Sequence, residues 1–328
     1  MQMLKNKNVL ITGGTGSFGR LLVHHLVQNQ ECNSITVLSR DEHKQFKMRL
    51  NYPENQYPRL KFLIGDIRDF NRVNEVCKNI HVIFHLAALK HVHIAEQNPL
   101  ECIKTNILGS ENVIRAALNN NVEKVIALSS DKAASPHNLY GATKFCADKL
   151  FVNAQHESDK TIFSVVRLGN VVNSRGSVFE IFEENKKNGV VYVSDPNATR
   201  FIITAEKGIK WLLFALNDSK GGEIYIPKIK SFKVSHLAKV IAPKAKIRIV
   251  GLKLGEKLHE HLITETDSNT GVEFSNYYVI YNNLKSLKQS KGTKLPSNFT
   301  YISSKKENLM TIKELKEIVK SQKFVLEI

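Results

Sequence analysis

Tyr140-Gly141-Ala142-Thr143-Lys144 sets a phenol and an ammonium one helical turn apart, and Ser129-Ser130-Asp131-Lys132 supplies two hydroxyls, a carboxyl and an amine just before them. Such groups can move protons beside a hydride transfer. A base must take a hydroxyl proton while hydride leaves the same carbon, yet a free phenol with a pKa near ~10 stays protonated at neutral pH. Lys144 and an oxidised nicotinamide would both favour phenolate, and Ser130 can orient the alcohol. The same Tyr/Lys spacing occurs at Tyr57/Lys61, Tyr281/Lys285 and Tyr301/Lys305, which lack this setting and read as surface pairs.

Asp131-Lys132 adds what an ordinary dehydrogenase does not use. Oxidising a sugar at carbon 4 gives a ketone and acidifies the hydrogen on carbon 5. An amine can remove that hydrogen while a carboxylic acid protonates the departing carbon 6 hydroxyl, and hydride then returns to carbon 6. Lys132 must therefore shed its proton near ~pH 7, helped by crowding from Lys144 and a cationic cofactor, while Asp131 must hold one.

Hydride chemistry calls for a dinucleotide, and Thr12-Gly13-Gly14-Thr15-Gly16-Ser17-Phe18-Gly19 offers its cradle. The run follows an apolar strand and opens a helix, where residues without a Cβ let backbone N–H groups and the positive helix end approach a pyrophosphate. The spacing Gly13-x-x-Gly16-x-x-Gly19 points to the short-chain dehydrogenase branch of Rossmann proteins. The second strand ends Leu38-Ser39-Arg40-Asp41 with Lys44 one turn on, so Ser39, Arg40 and Lys44 favour a 2′-phosphate and hence NADP; Asp41 turned toward a ribose would leave NAD as the alternative. Asp66 and Ile67 would border the adenine. Leu86, Ala87, Ala88 and Ser129 end later strands on the same edge.

Six near-continuous apolar runs, Val9–Thr12, Ser34–Leu38, Leu60–Ile64, Val82–Leu86, Lys124–Ser129 and Ile162–Arg167, read as strands buried on both faces. Between them, helices are expected near 17–29, 41–50, 69–78, 99–119 and 138–157. The chain is thus an α/β protein: a Rossmann-type doubly wound parallel sheet over 1–170, with a smaller irregular C-terminal lobe over 171–328 that mainly binds substrate. Segment 204–228, with helix-like Ala205–Leu216 and strand-like Glu223–Ile226, is expected to return to the first sheet. Ile312–Lys323 reads as a terminal helix with a solvated face.

Taken together these runs resemble the NADP-dependent inverting UDP-N-acetylglucosamine 4,6-dehydratases of the extended short-chain dehydrogenase class, as in pseudaminic-acid biosynthesis. The match runs through ITGGTGSFG (11–19), SRDEHKQ (39–45), GDIRD (65–69), FHLAALKHV (84–92), NPLECIKTN (98–106), SSDKAASPHNLYGATK (129–144), VRLGNVVNSRGSV (166–178), TRF (199–201), GGEIYIPK (221–228) and GEKLHE (255–260). It implies Asp131, Lys132 and Tyr140 as the catalytic set, with Lys144 supporting Tyr140 and the cofactor ribose. Tyr140 looks like the inverting type, which yields a 4-keto-6-deoxy-L-arabino sugar. Lys90, Ser130, Asn170, Arg200, Lys253 and Glu256 would contact UDP-GlcNAc, the cations facing pyrophosphate and Glu256 the uridine ribose. Ser130, His93, Leu168 and Lys253 stand where the family usually has Thr, Pro, Tyr and Arg. The resemblance also implies a homo-oligomer, a hexamer by analogy.

With 42% apolar and 24% charged residues among 328, and only 17 Gly and 8 Pro, the composition excludes a disordered or fibrous chain. A formal charge of +16 favours anionic partners. Four scattered cysteines without a CxxC pair suggest buried thiols in a reducing cytosol, and neither His91/His93 nor His259-Glu260-His261 forms a metal motif. No signal peptide or membrane span is expected, so the protein reads as cytoplasmic. Two other readings stand beside the main one. A UDP-hexose 4-epimerase would share the first hydride step without needing Asp131-Lys132; a regulatory or nucleic-acid-binding protein would exploit the charge, although no nucleic-acid motif accompanies it.

Overall fold

The computed structural model describes residues 2–29, 32–172, 174 and 176–321. Asn173 and Arg175 of the 166–178 run, and the end of the expected terminal helix, lie outside the described residues; that helix spans Ile312–Ser321.

Strands β1 (Asn8–Thr12), β2 (Ser34–Ser39), β3 (Leu60–Ile64), β4 (Val82–His85), β5 (Lys124–Ser130) and β6 (Ile162–Leu168) form a parallel sheet in the order β3-β2-β1-β4-β5-β6. Helices α1 (Ser17–Asn29), α2 (Glu42–Asn51), α3 (Phe70–Val76), α4 (Val92–Gln97), α5 (Pro99–Ile103), α6 (Gly109–Asn119) and α7 (Leu139–Ala154) connect them. Neighbouring residues of a strand point to opposite faces, so each strand must feed two cores. Leu10, Ile83, Val125 and Phe163 pack with Val73, Val113 and Phe151 of α3, α6 and α7. Val9, Ile11, Phe84 and Ile126 pack on the other side with Leu22 and Val23 of α1 and with Ile209 and Leu212. The order reverses between β1 and β4, which opens a crevice at the carboxyl ends of the strands.

Glu223–Pro227 joins β6 in parallel, after the helix Ala205–Asp218. Tyr277–Tyr281, Gly271–Glu273 and Thr293–Lys294, which the apolar pattern does not pick out, continue the same sheet antiparallel to a total of ten strands. The rest of the second half builds a separate core around Phe179, Phe182, Phe232, Leu237 and Leu315. Its small sheets pair Asn170–Val171, Thr199–Ile203 and Ser231–Lys233, and His261–Ile263 with Tyr301–Ile302.

Three local expectations need correction. The stretch 99–119 is not one α-helix: a π-helical turn, Lys104–Leu108, splits it, and the extra residue turns Thr105 and Asn106 inward. Ahead of it, α4 ends at Asn98 because Pro99 disfavours a helical residue before it. Tyr301 is not a surface residue but 4% exposed, with its hydroxyl donating to Ile229 O at 2.5 Å. Cys32, Cys77 and Cys102 are buried, whereas Cys146 lies exposed. Among the described residues no helix is long and apolar enough to cross a membrane, and no group of side chains could hold a metal ion.

Candidate active site

The glycine turn sits at the crevice. Gly13 adopts φ +68°, a left-handed conformation that suits glycine, and a Cβ there would lie 2.8 Å from the main chain of Ala87. A Cβ on Gly19 would lie 2.5 Å from Gly13 O. The turn is therefore as tight as backbone allows, and it delivers α1 with its first N–H groups toward the strand ends. Beneath it, the Thr12 hydroxyl lies 2.9 Å from His85 Nδ1 and accepts from Ala87 N at 3.3 Å, tying β1 to the end of β4. His85 reaches Ser110 with its other nitrogen at 3.3 Å. Burial holds this histidine neutral, down to about 3, with Lys144 adding to the effect.

At the end of β2, the Ser39 hydroxyl accepts from Gln45 at 2.9 Å. Asp41 caps α2, accepting from Lys44 N at 2.9 Å and pairing with Lys44 Nζ at 2.7 Å. Arg40 is half exposed and lies 3.6 Å from Asp66, whose other cation, Arg68, stands at 2.6 Å. The Ile67 side chain is buried in the core, against Gly109, and its carbonyl accepts from the Asn112 amide at 2.9 Å. Thr15 is buried, and Phe18 packs against Gly208 of the helix 205–218.

The last residue of β5, Ser130, caps a short turn over Asp131–Ala133. Ser130 Oγ donates to Asp131 Oδ1 at 2.9 Å, and Lys132 Nζ donates to the same oxygen at 2.8 Å and to Asn170 Oδ1 at 3.0 Å. Asn138 starts α7 by accepting from Gly141 N at 2.8 Å. Gly141 is required by contact: a Cβ there would meet Lys132 O at 2.4 Å, so its absence lets α7 sit directly on the Asp131–Lys132 turn. Tyr140 and Lys144 are both buried on this helix.

Burial pushes the Asp131 carboxyl up, against the pull of Lys132, and its Oδ2 is buried with no hydrogen-bond partner. Burial also pulls the Lys132 ammonium down, but Asp131 and Glu260 outweigh it and hold the charge. Contrary to the expectation that Lys144 crowds Lys132 toward neutrality, the immediate neighbours of Lys132 are acids. Lys144 is lowered by burial and donates to Leu128 O at 2.7 Å. Burial lifts the Tyr140 phenol to about 12; the groups that favour its phenolate are Lys132 and a hydrogen bond with Ser130 rather than Lys144.

The second half closes this pocket. Arg200 is buried and binds Glu256 at 2.9 Å, with further bonds to Thr199 O and Leu258 O. The two residues expected on different parts of a nucleotide are thus brought onto each other. Lys253 is exposed, and its backbone N–H donates to Glu256 at 3.3 Å. Lys90 is exposed next to Leu89, whose N–H and C=O are both bonded by the Asn106 amide at 2.8 and 2.9 Å.

A model of the family described as "Polysaccharide biosynthesis protein" matches residues 9–282, a span that holds the glycine turn, Asp131-Lys132 and Glu256 together. The chain belongs to the polysaccharide biosynthesis protein family. A UDP-N-acetylglucosamine 4,6-dehydratase (inverting) of Campylobacter jejuni is 44% identical over 97% of this chain and 98% of its own length. A UDP-glucose 4-epimerase of Rickettsia bellii is 38% identical over 95% and 96%. The crystal structure of Pen from Bacillus thuringiensis superposes with a TM-score of 0.90, at 36% identity over 98% of both chains.

In this member of the polysaccharide biosynthesis protein family, three buried groups at the site escaped the sequence. Glu260 lies 3.6 Å from Lys132, and Lys257, 3.4 Å from Glu260, donates to Ala134 O at 2.7 Å. Both fall within the GEKLHE run, but no spacing ties them to residues 131–132. Arg167, inside β6, binds Asp148 of α7 at 3.3 Å and Asp267 at 3.0 Å. A charged residue in an apolar strand was the available signal, since a fully buried guanidinium needs partners.

Proposed function

We propose that this protein is a UDP-N-acetylglucosamine 4,6-dehydratase that inverts carbon 5, works with NADP and acts in the cytoplasm. The observation that carries the reading is the 2.8 Å contact between buried Asp131 Oδ1 and half-buried Lys132 Nζ, beside buried Tyr140. One proton moved across that contact yields a carboxylic acid and a neutral amine together, the two forms that elimination of water requires. Burial pulls toward this neutral pair, while the charges of Asp131 and Glu260 hold the proton on Lys132, so the two forms stand in balance.

The glycine turn fits a dinucleotide pyrophosphate, because Gly13 and Gly19 let backbone pack on backbone so that the first N–H groups of α1 reach the crevice, and a Cβ on Gly16 would meet Gly13 O alone, at 3.2 Å. Gly13, Thr15, Gly16, Ser17, Phe18 and Gly19 would hold it; Ser129 and Lys144 would hold the nicotinamide ribose. Arg40, half exposed at the end of β2, would be free to meet a 2′-phosphate, while Asp41 is spent on capping α2, which supports NADP over NAD. Bound there, the dinucleotide would take hydride from carbon 4 and give it back at carbon 6.

Tyr140 takes the carbon 4 hydroxyl proton as the ketone forms, with Lys132 and Ser130 favouring its anion. Lys132 then removes the carbon 5 proton. The freed electron pair forms the carbon 5–carbon 6 double bond as the carbon 6–oxygen bond breaks, and Asp131 protonates the oxygen so that water leaves. Reprotonation of carbon 5 on the opposite face gives the inverted product. Asn170, Arg200, Lys253, Glu256 and Lys90 would line the nucleotide-sugar side, and a hexamer is the assembly proposed.

Purified protein given UDP-GlcNAc in heavy water, without added reductant, should give a carbon 6 methyl and deuterium at carbon 5 by NMR. Lys132→Ala should stop elimination while cofactor stays bound. UDP-GalNAc with an intact hydroxymethyl would instead establish the epimerase, a reading that the Rickettsia bellii relative favours.

A further inference from the structure

Glu260 is only 4% exposed, and its main chain is fixed from both sides by Ser303. Glu260 N donates to Ser303 Oγ at 2.9 Å, Ser303 N donates to Glu260 O at 2.9 Å, and Ser303 Oγ lies 2.7 Å from Thr199 Oγ1. The carboxylate is thus held by a frame in the second half of the chain, which Lys132 does not share. One of its oxygens faces Lys132 Nζ at 3.6 Å and Arg200 Nε at 3.9 Å; the other faces Lys257 Nζ at 3.4 Å.

We propose that Glu260 is a positioning residue that holds Lys132 against Asp131 and sets the pH range in which that pair works. The proposal rests on the dehydratase reading and names a regulator of the same site.

The charges around Lys132 carry the argument. Asp131 stands on its own turn, Tyr140 comes from α7, and Glu260, Lys257, Arg200 and Glu256 come from the second half. Asp131, Glu256 and Glu260 face Lys132, Arg200 and Lys257, so the cluster is neutral when these six are ionised and the Tyr140 phenol keeps its proton. Glu260 acting alone would pin the proton on Lys132. Lys257 and Arg200 offset that pull, because they keep its charge stabilised after Lys132 has passed its proton to Asp131. Glu260 then opposes neutralisation of Lys132, Lys257 relaxes the opposition, and the balance fixes the apparent pKa values of the pair.

The test is kcat against pH with UDP-GlcNAc for wild type, Glu260→Gln and Lys257→Met. Removing the carboxylate charge should move the bell-shaped profile to lower pH by about one unit, roughly tenfold in proton affinity, and removing Lys257 should move it to higher pH by a similar amount. A plain structural brace predicts lower activity or stability with the bell unmoved in both variants, and that result overturns the proposal. Should Glu260→Gln prove too unstable to assay, the Lys257→Met profile decides alone: displacement upward supports the proposal, an unmoved bell overturns it. Lys132→Ala keeps the two readings apart. If it still dehydrates, the role given to the lysine fails; if it is inactive while the other profiles coincide with wild type, only the inference about Glu260 fails.

Discussion

The two sides of the crevice are built by different means. The glycine turn is made from neighbouring residues, Thr12 to Gly19, and its fit is a matter of backbone, since the space over Gly13 excludes even a methyl group. The charged cluster draws Asp131, Asn170, Arg200, Glu256 and Glu260 from segments far apart in the chain, and its fit is a matter of compensated charge. A backbone cradle tolerates many neighbours and fails at a single Cβ. A buried ionic cluster depends on every member, because removing one leaves another uncompensated.

The largest effect is expected on the ionic side. Arg167→Met would strand Asp148 and Asp267 in the interior and should lower the unfolding free energy by about 3–5 kcal/mol in urea titrations. A loss below ~1 kcal/mol would mean that α7 and the second half are held together by something other than this guanidinium. On the backbone side, Gly13→Val should weaken NADPH binding by about 100-fold in a fluorescence titration while circular dichroism stays unchanged, because the strain falls on the turn and the loop at Ala87 rather than on the strands and helices. Binding intact in that variant would erase the contrast. Arg40→Ala should cost roughly tenfold in NADPH affinity and leave NADH unaffected; equal losses would make the arginine a scaffold residue for Asp66.

The smallest effect concerns the support under the turn. His85 is depressed to about 3 from its usual 6.5, so the folded protein keeps it neutral where the unfolded chain binds a proton. Its contribution is complete above pH 6.5 and drains away as pH falls toward 3. Between pH 7 and pH 5.5, wild type should lose about 1.2 kcal/mol more than His85→Asn, read from urea midpoints. Equal losses would show that the histidine titrates alike in both states.

This contrast also explains what could be read without coordinates. The six strands of the first half and the glycine turn were legible, because burial on both faces writes apolar runs and a tight turn writes glycines. Tyr140 was singled out from three equally spaced pairs by what precedes it in the chain. The environment of Lys132 was not legible: Glu260 comes from beyond the strand Thr199–Ile203, and residues meeting across such a separation leave no periodic trace. For the same reason Lys144 was given a part in tuning Tyr140 that falls to Lys132 and Ser130. The π-helical turn escaped because what accompanies it, the Asn106 amide gripping Leu89, is also a contact between separate elements.

Glu223–Pro227 lies between β6 and Tyr277–Tyr281, so the sheet begun by the first half is completed by strands encoded much later. Cutting the gene after residue 170 would not release an autonomous dinucleotide module. It would leave β6 with an unprotected hydrogen-bonding flank and an invitation to polymerise. Swapping second halves between relatives must therefore carry those later strands along, or graft loops alone.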